Sequence, residues 1–181
     1  MTALLLVAAA LTPAQRRAEF GGDHDLDEGG RRAAQALAPA FTRHETWTAA
    51  PSKAARQTAT ALGGTPVIAP ELADVDYGDW TGHTLDQVDI APWLTDPGFT
   101  PPGGESLTAV RARAGAWLDA QAGRTLVAVA HATVVRAALA HALDLPPDGI
   151  WRLDIAPLTA LPLTHRAGRW HLRLAPPAPT H

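Results

Sequence analysis

The chain has 181 residues, of which 46% are hydrophobic and 18% are charged, and its formal net charge is −3 at neutral pH. This length and composition indicate one globular domain, and the negative charge makes nucleic acid or an anionic membrane surface a poor partner. Because the sequence has no cysteine, disulfides, thiolate catalysis and cysteine-bound metals are excluded. The short apolar N-terminus lacks a basic segment, so we interpret it as a core strand of a cytoplasmic protein and not as a signal peptide.

The first part of the chain alternates short apolar runs with alanine-rich helical segments. Strands are predicted over residues 4–9, 46–49 and 66–68, and helices over residues 28–37 and 52–62. Ser52 has the position of a helix N-cap, and Gly63 follows the end of the same helix. Residues 70–105 contain several Gly, Pro and Trp residues and are predicted to be mostly irregular.

The second part of the chain continues the alternation and ends in antiparallel strands. Helices are predicted over residues 105–122 and 134–143, and strands over residues 125–130, 150–155, 160–164 and 170–174. A turn around Gly168 predicts a C-terminal hairpin. This order indicates an α/β fold, a three-layer α/β/α sandwich with a mainly parallel sheet. We expect a single domain over residues 1–175 and a flexible, proline-rich tail over residues 176–181.

Two strand ends mark the expected ligand site, because ligands of such sheets gather outside the carboxyl ends of the strands. The first strand ends at Ala8, Ala9 and Ala10. The strand TLVAVA ends at His131, and the start of the following helix favours an anion.

Five segments occur in an order that identifies a known family. They are DLDEGGRRAAQAL, PSKAARQTATAL, LADVDYGDWTGHTLDQV, PPGGESLTAVRARAGAWL and TLVAVAHATVVRAALAHAL. Together they resemble the histidine phosphatase superfamily, with its phosphoglycerate-mutase-like fold, and in particular its alpha-ribazole phosphatase type. The resemblance implies phosphoryl transfer, in which a histidine of an R-H-G motif attacks phosphorus and two arginines hold the phosphoryl oxygens. A second histidine would stabilise the transferred group, and a carboxylic acid would protonate the leaving oxygen.

Carried over to this chain, the family pattern is only partly matched. The R-H-G positions fall on Ala8, Ala9 and Ala10, and the second arginine falls on Ala54, whereas nearby Arg56 and Lys53 should point elsewhere. The second histidine is His131 and the acid position is Asp74. The resemblance also implies a substrate pocket near Thr12, Gln15, Glu105, Ser106, Ala9, Ala54 and Trp93. We therefore expect a neutral or acidic pocket, widened by the small alanines, that neither binds phosphate monoesters tightly nor hydrolyses them by the family's route.

Three functions stay open at this point. In the first, His131 and Asp74 are the acid/base pair of a repurposed isomerase, lyase, dehydratase or cyclase that acts on a small, non-phosphorylated, neutral or cationic metabolite. The second is a non-catalytic ligand-binding or regulatory pseudophosphatase, and the third is residual alpha-ribazole-phosphate-type phosphatase activity. The expected partner is a small-molecule ligand, no cofactor or metal is expected, and a homodimer stays open.

Each candidate residue also has an ordinary structural interpretation. His131 would then be a buried relic, Asp74 a loop aspartate, and Glu105 with Ser106 the cap and first turn of a helix. We interpret Arg43-His44 as surface residues and the segment Asp23-His24-Asp25 as a solvated acidic loop that does not bind metal. Trp80, Trp117 and Trp151 suit the core or a pocket wall, and Trp93 is expected near the mouth of the site.

Overall fold

A mixed six-stranded sheet forms the centre of the protein. The computed structural model describes residues 4–43 and 45–174, so His44 and the predicted tail lie outside the described residues. The strands are β1 (Leu4–Ala8), β2 (Trp47–Ala49), β3 (Val67–Ile68), β4 (Leu126–Ala130), β5 (Ala160–Arg166) and β6 (Arg169–Leu172), in the spatial order β3-β2-β4-β1-β5-β6. Strands β3, β2, β4 and β1 are parallel, and β5 and β6 are antiparallel, which confirms the predicted sheet.

The described residues form six α-helices. They are α1 (Pro13–Arg16), α2 (Glu28–Leu37), α3 (Lys53–Ala61), α4 (Ala91–Thr95), α5 (Leu107–Ala120) and α6 (Ala132–Ala142). The longer ones match the predicted helices to within about two residues at each end. Side chains of Thr12, Asp27, Ser52 and Ser106 accept a hydrogen bond from the first turn of α1, α2, α3 and α5, which explains where these helices begin. No helix among the described residues is long and apolar enough to cross a membrane.

The central strands are buried because helices lie on both faces of the sheet. Every residue of β4 is buried, as its continuous apolar run predicts. Helix α2 packs against α3, which contacts β2 and β4, while α5 packs against α6, which contacts β1. The result is the expected three-layer sandwich.

The predicted strand over residues 150–155 is wrong. A 3₁₀ helix spans Pro147–Arg152 instead, and residues 153–156 have no regular structure. Pro147 lies in the first turn of this helix, where its fixed φ suits a helical start. Ile150 and Ile155 are nonetheless buried, so the apolar alternation reports burial of a loop and not a strand.

The C-terminal hairpin is confirmed, and its turn explains why it forms. Ala167 and Gly168 both have positive φ, 49° and 74°. Two successive residues with positive φ are typical of the type I′ turn, whose twist matches that of the flanking strands. Strand β5 can therefore pair with β1 on one side and with β6 on the other.

A polar cluster ties the hairpin to the layer formed by α5 and α6. Asp119 Oδ2 lies 2.9 Å from His141 Nε2, and Asp119 Oδ1 accepts a 2.9 Å hydrogen bond from Trp170 Nε1–H. Burial acts to raise the pKa of Asp119, but the hydrogen bonds from Trp170 and His141 and the nearby histidine charges outweigh it, so this pKa lies below its ordinary value. One carboxylate therefore joins α5, α6 and β6.

Acid should weaken this cluster. A carboxylate whose pKa is lowered by folding contributes stability above its unfolded pKa of about 4, and this stability is lost as the pH falls through the lower folded value. Chemical denaturation between about pH 3 and pH 7 should show this fall. The Asp119→Asn variant should be less stable at neutral pH and should show a shallower acid dependence. An equally steep fall in the variant would contradict the assignment.

Gly115 leaves the space that the His141 ring occupies. A Cβ at this position would lie 2.5 Å from His141 Cγ and Nδ1. Gly115→Ala should therefore destabilise the protein by about 1–3 kcal/mol, although alanine in a helix interior normally gains about 1 kcal/mol over glycine. In a His141→Ala background the same change should be stabilising, as a double-mutant cycle of unfolding free energies would measure. Equal effects in both backgrounds would show that the two residues are not coupled.

Candidate functional site

A small polar cavity lies beyond the carboxyl ends of β1 and β4. Its volume is about 100 Å³, and its polar and ionisable lining includes Thr12, Gln15, Glu19, Asp74, Tyr77 and His131. Four of these positions, Thr12, Gln15, Asp74 and His131, come from the residues that the sequence predicted. The structure therefore brings together residues from three separate segments, residues 12–22, 74–77 and 131–133, at the expected edge of the sheet.

His131 sits at the N-cap of α6 and is 7% exposed. Its Nε2 lies 3.0 Å from Ser52 Oγ, and its Nδ1 lies 3.4 Å from Gln15 Nε2. Gln15 Oε1 accepts the Thr12 backbone N–H at 3.0 Å, which directs the amide nitrogen of Gln15 towards the imidazole. Since this nitrogen can only donate, Nδ1 of neutral His131 accepts, and Nε2–H donates to Ser52.

Asp74 faces the same imidazole nitrogen. Its Oδ2 lies 3.9 Å from His131 Nδ1, and its Oδ1 accepts the backbone N–H of Val75 at 2.9 Å. The Asp74 side chain retains 23% of its exposure, so it borders the cavity without being sealed from solvent. A proton on Nδ1 would thus meet a carboxylate close to hydrogen-bonding distance.

Glu105 acts behind the cavity and does not line it. Both of its carboxylate oxygens accept hydrogen bonds from Arg113, at 2.7 and 2.9 Å. Arg113 also donates to the backbone carbonyls of Glu71, Ala73 and Asp74. The pair therefore holds the loop that carries Asp74, and Ser106 caps α5. Ser106 thus has the role of the structural interpretation, whereas Glu105 lies before the cap and has a role that the sequence did not predict.

An aromatic hydroxyl completes the acidic side of the cavity. Tyr77 is buried, and burial together with the charge of Asp74 raises its pKa well above the ordinary value, although a hydrogen bond with Thr133 opposes this. Tyr77 therefore remains a neutral hydrogen-bonding group at any physiological pH. Glu19 also lines the cavity, and its hydrogen bond with Arg17 is the main reason that its pKa is lowered, so it is ionised.

The alanine positions do not form open space. Ala54 and Ala10 pack with Leu26, and the partly buried Leu158 covers this cluster. The Ala10 N–H donates to Thr58 Oγ1 at 3.0 Å, which closes the end of β1 onto α3. Ala9 is 5% exposed and belongs to the main core. Ala9 and Ala54 are thus not among the cavity-lining residues, in contrast to the expected widening.

Trp93 also differs from its expected place at the mouth. It is 4% exposed and its ring lies 4.9 Å from that of Trp151 and 5.7 Å from that of Tyr77. It therefore packs behind the cavity wall. Trp80 and Trp117 are buried as expected, and Arg43 is exposed.

The acidic loop before α2 is used for structure. Asp23 accepts the backbone N–H of Lys53, and Asp25 accepts a hydrogen bond from Gln57. Within residues 4–43 and 45–174, no group of three or more His, Asp and Glu side chains is arranged to hold a metal ion.

Ser52 and Tyr77 are site residues that sequence reasoning missed. Ser52 was recognised only as a cap, although it follows β2, and β2 lies directly beside β4. Its place at the same edge as His131 was the available signal. Tyr77 lies three residues after Asp74, inside the segment that carries the family resemblance, but the sequence does not indicate which way it points.

Comparison with known proteins decides the family. The model of the histidine phosphatase superfamily (branch 1) matches residues 6–175. The chain belongs to this superfamily. A mycobacterial glucosyl-3-phosphoglycerate phosphatase superposes on it with a TM-score of 0.84 and 27% identity, over 96% of this chain and 98% of that one. A phosphoserine phosphatase mutant from Entamoeba histolytica, 20% identical, shares the fold with a TM-score of 0.86 over 95% of each chain.

A relative found by sequence is longer than this chain. A bifunctional protein of Mycobacterium tuberculosis is 32% identical in an alignment of 164 positions that covers 80% of this chain and 45% of that protein. The chain therefore spans less than half the length of the curated relatives it matches.

The hydrogen bonds around His131 predict its tautomer. Neutral His131 should carry its proton on Nε2, because Gln15 donates to Nδ1. Long-range ¹H–¹⁵N correlation spectra of the imidazole, recorded at a pH above its titration, would identify the protonated nitrogen. In Gln15→Leu this preference should weaken, while exposed His171 serves as the internal reference. A proton on Nδ1 in the wild-type protein would contradict the described network.

Proposed function

We propose that this member of the superfamily transfers protons with His131 and Asp74 on a small neutral or cationic metabolite. The observation that supports this best is the unprotonated Nδ1 of His131, which lies 3.9 Å from Asp74 Oδ2 in a cavity whose described lining includes no Arg or Lys. The reactions that use such a pair include isomerisation, elimination, dehydration and cyclisation. A small-molecule ligand without a cofactor or metal belongs to the same proposal.

Nδ1 of His131 would act as the base. When it takes a proton, Gln15 Nε2 can no longer donate to it, and Asp74 Oδ2 becomes its acceptor after a shift of less than about 1 Å. A carboxylate at this distance stabilises the imidazolium, while Ser52 continues to accept from Nε2–H. Ser52 and Gln15 are positioning residues in this scheme, since they orient the ring.

The charges around the cavity support a ligand that is not an anion. Asp74 and the ionised Glu19 both line it. Asp74 would repel a phosphoryl oxygen about 4 Å away by roughly 1–4 kcal/mol per unit charge, whereas the ion pair with Arg17 offsets much of the charge of Glu19. By the family resemblance, the arginines that would offset this repulsion fall on Ala8 and Ala54, and the nucleophile falls on Ala9. A neutral or cationic group would instead meet hydrogen-bond acceptors and negative charge.

The volume of the cavity restricts the reacting group. About 100 Å³ holds roughly three water molecules, so the site accepts a group of only a few non-hydrogen atoms. A larger metabolite would place its reactive end between His131 and Asp74 and keep the rest outside.

Two other functions each have an observation in their favour. The closed packing of Ala54 and Ala10 against Leu26 favours a non-catalytic, regulatory pseudophosphatase, because the space expected for a substrate is filled. Similarity to the mycobacterial phosphatase favours retained phosphatase activity. The lack of an Arg or Lys among the described residues that line the cavity argues against it, including the alpha-ribazole-phosphate type.

Solvent exchange tests the proposal without knowledge of the substrate. Neutral and cationic metabolites incubated with the protein in D₂O should include one that gains deuterium at carbon, as detected by mass spectrometry. His131→Gln and Asp74→Asn should each slow this exchange by about 10²-fold or more, and exposed His171→Gln should leave it unchanged. A generic aryl phosphate should not be hydrolysed.

The outcomes separate the three functions. Aryl phosphate turnover that disappears in His131→Gln would establish retained phosphatase activity and overturn the proposal. A metabolite that binds but exchanges no proton, with equal affinity in wild type and both variants, would favour the non-catalytic pseudophosphatase.

A further inference from the structure

A second cleft, separate from the His131 cavity, lies between α2 and α3. Its volume is about 520 Å³, and its lining includes Arg31 of α2 together with Lys53 and Arg56 of α3. We propose that this cleft binds a compact polyanion, a small molecule with a phosphoryl group or several carboxylates. Nothing in the proton-transfer site uses these three cations.

The three cations of the cleft have no carboxylate partner. No ion pair joins Arg31, Lys53 or Arg56 to a carboxylate of the described residues, whereas Arg32, next to Arg31, pairs with Glu28. Among the described residues that line the cleft, Asp25 is the one acidic side chain, and it already accepts a hydrogen bond from Gln57. Three cations and one carboxylate give the cleft a formal charge of +2, which an anion would offset.

The walls of the cleft are connected by hydrogen bonds. Gln57 Oε1 accepts the backbone N–H of Leu26 at 2.9 Å, and Asp23 accepts the backbone N–H of Lys53 at 2.6 Å. These bonds fasten the loop before α2 to the start of α3. Arg31 and Arg56 therefore project from two helices whose separation is held, and a ligand would not have to order the backbone between them.

The chemistry of the lining selects the class of ligand. Guanidinium groups donate in a planar fork that matches phosphoryl or carboxylate oxygens, and Lys53 adds a point charge. Gln35 lines the same cleft and offers a neutral donor and acceptor. A single small anion would reach only part of this arrangement, so a diphosphate or a polycarboxylate fits it better.

Pyrophosphate is the probe for the test. Calorimetric titration of the wild-type protein at low ionic strength should give one saturable site that weakens as salt is added. Arg31→Gln and Arg56→Gln should each weaken binding about fivefold, and the double variant should show no saturable binding. Arg32→Gln is the matched control: it lies beside Arg31 on α2, pairs with Glu28 and is outside the cleft lining, so it should bind like wild type.

Three results would overturn the proposal. The first is that the wild-type protein shows no saturable binding of pyrophosphate. The second is an equal loss of affinity in Arg32→Gln and Arg31→Gln, which would indicate a general charge effect, and the third is a loss of affinity in His131→Ala, which would place pyrophosphate in the His131 cavity. Because the replaced arginines are exposed, circular dichroism should confirm that each variant is folded.

Discussion

The parallel pairing of β4 with its two neighbours is the constraint on which the rest of the site depends. Ala8 is opposite Ala130 in the β1–β4 pair, and the Ala9 N–H continues this ladder to the Ala130 carbonyl at 2.8 Å. On the other side, the Ala50 N–H donates to the Val129 carbonyl at 2.8 Å. Because these carboxyl ends coincide, the segments that follow them, with Gln15, Ser52 and His131, leave the sheet at one place.

Local helix caps also serve the site. Thr12 and Gln15 form a capping box at α1, and the same hydrogen bond that satisfies the box orients the Gln15 amide towards His131. Ser52 accepts the Ala55 N–H as the cap of α3 and accepts His131 Nε2–H as well. The imidazole is therefore held by groups that the helices already need, which costs little additional ordering of side chains.

Apolar packing and positive charge occupy different sides of helix α3. The alanine positions are enclosed by Leu26 and Leu158, so an apolar cluster occupies the end of β1 near α3. The cations near the start of α3, Lys53 and Arg56, face the cleft beside α2. The fold of the superfamily is thus compatible with a polar, acidic cavity at the strand ends and with a separate cationic cleft between α2 and α3. Residues 54 and 56 can serve these two places differently because they lie on different faces of α3.

The sequence by itself determined most of the fold and the edge of the sheet at which the site lies. Hydrophobic period, caps and glycine turns predicted the order of strands and helices. The ends of β1 and β4 predicted the edge of the sheet where His131 lies, and the family resemblance predicted that Thr12, Gln15 and Asp74 lie near it. The loop at Ile150–Ile155 was mistaken for a strand because alternating burial does not distinguish a strand from an irregular segment that packs on the core.

Only the tertiary structure decided which atoms of these residues face one another. The contact of His131 with Ser52 joins positions 79 residues apart, and that with Gln15 joins positions 116 apart. Amino-acid composition and hydrophobic periodicity do not indicate which residues that are far apart in the sequence come into contact. The sequence also did not predict the packing around Ala54, the buried position of Trp93 or the ion pair between Glu105 and Arg113. Each of these depends on how separate segments pack together and not on the local properties of one segment.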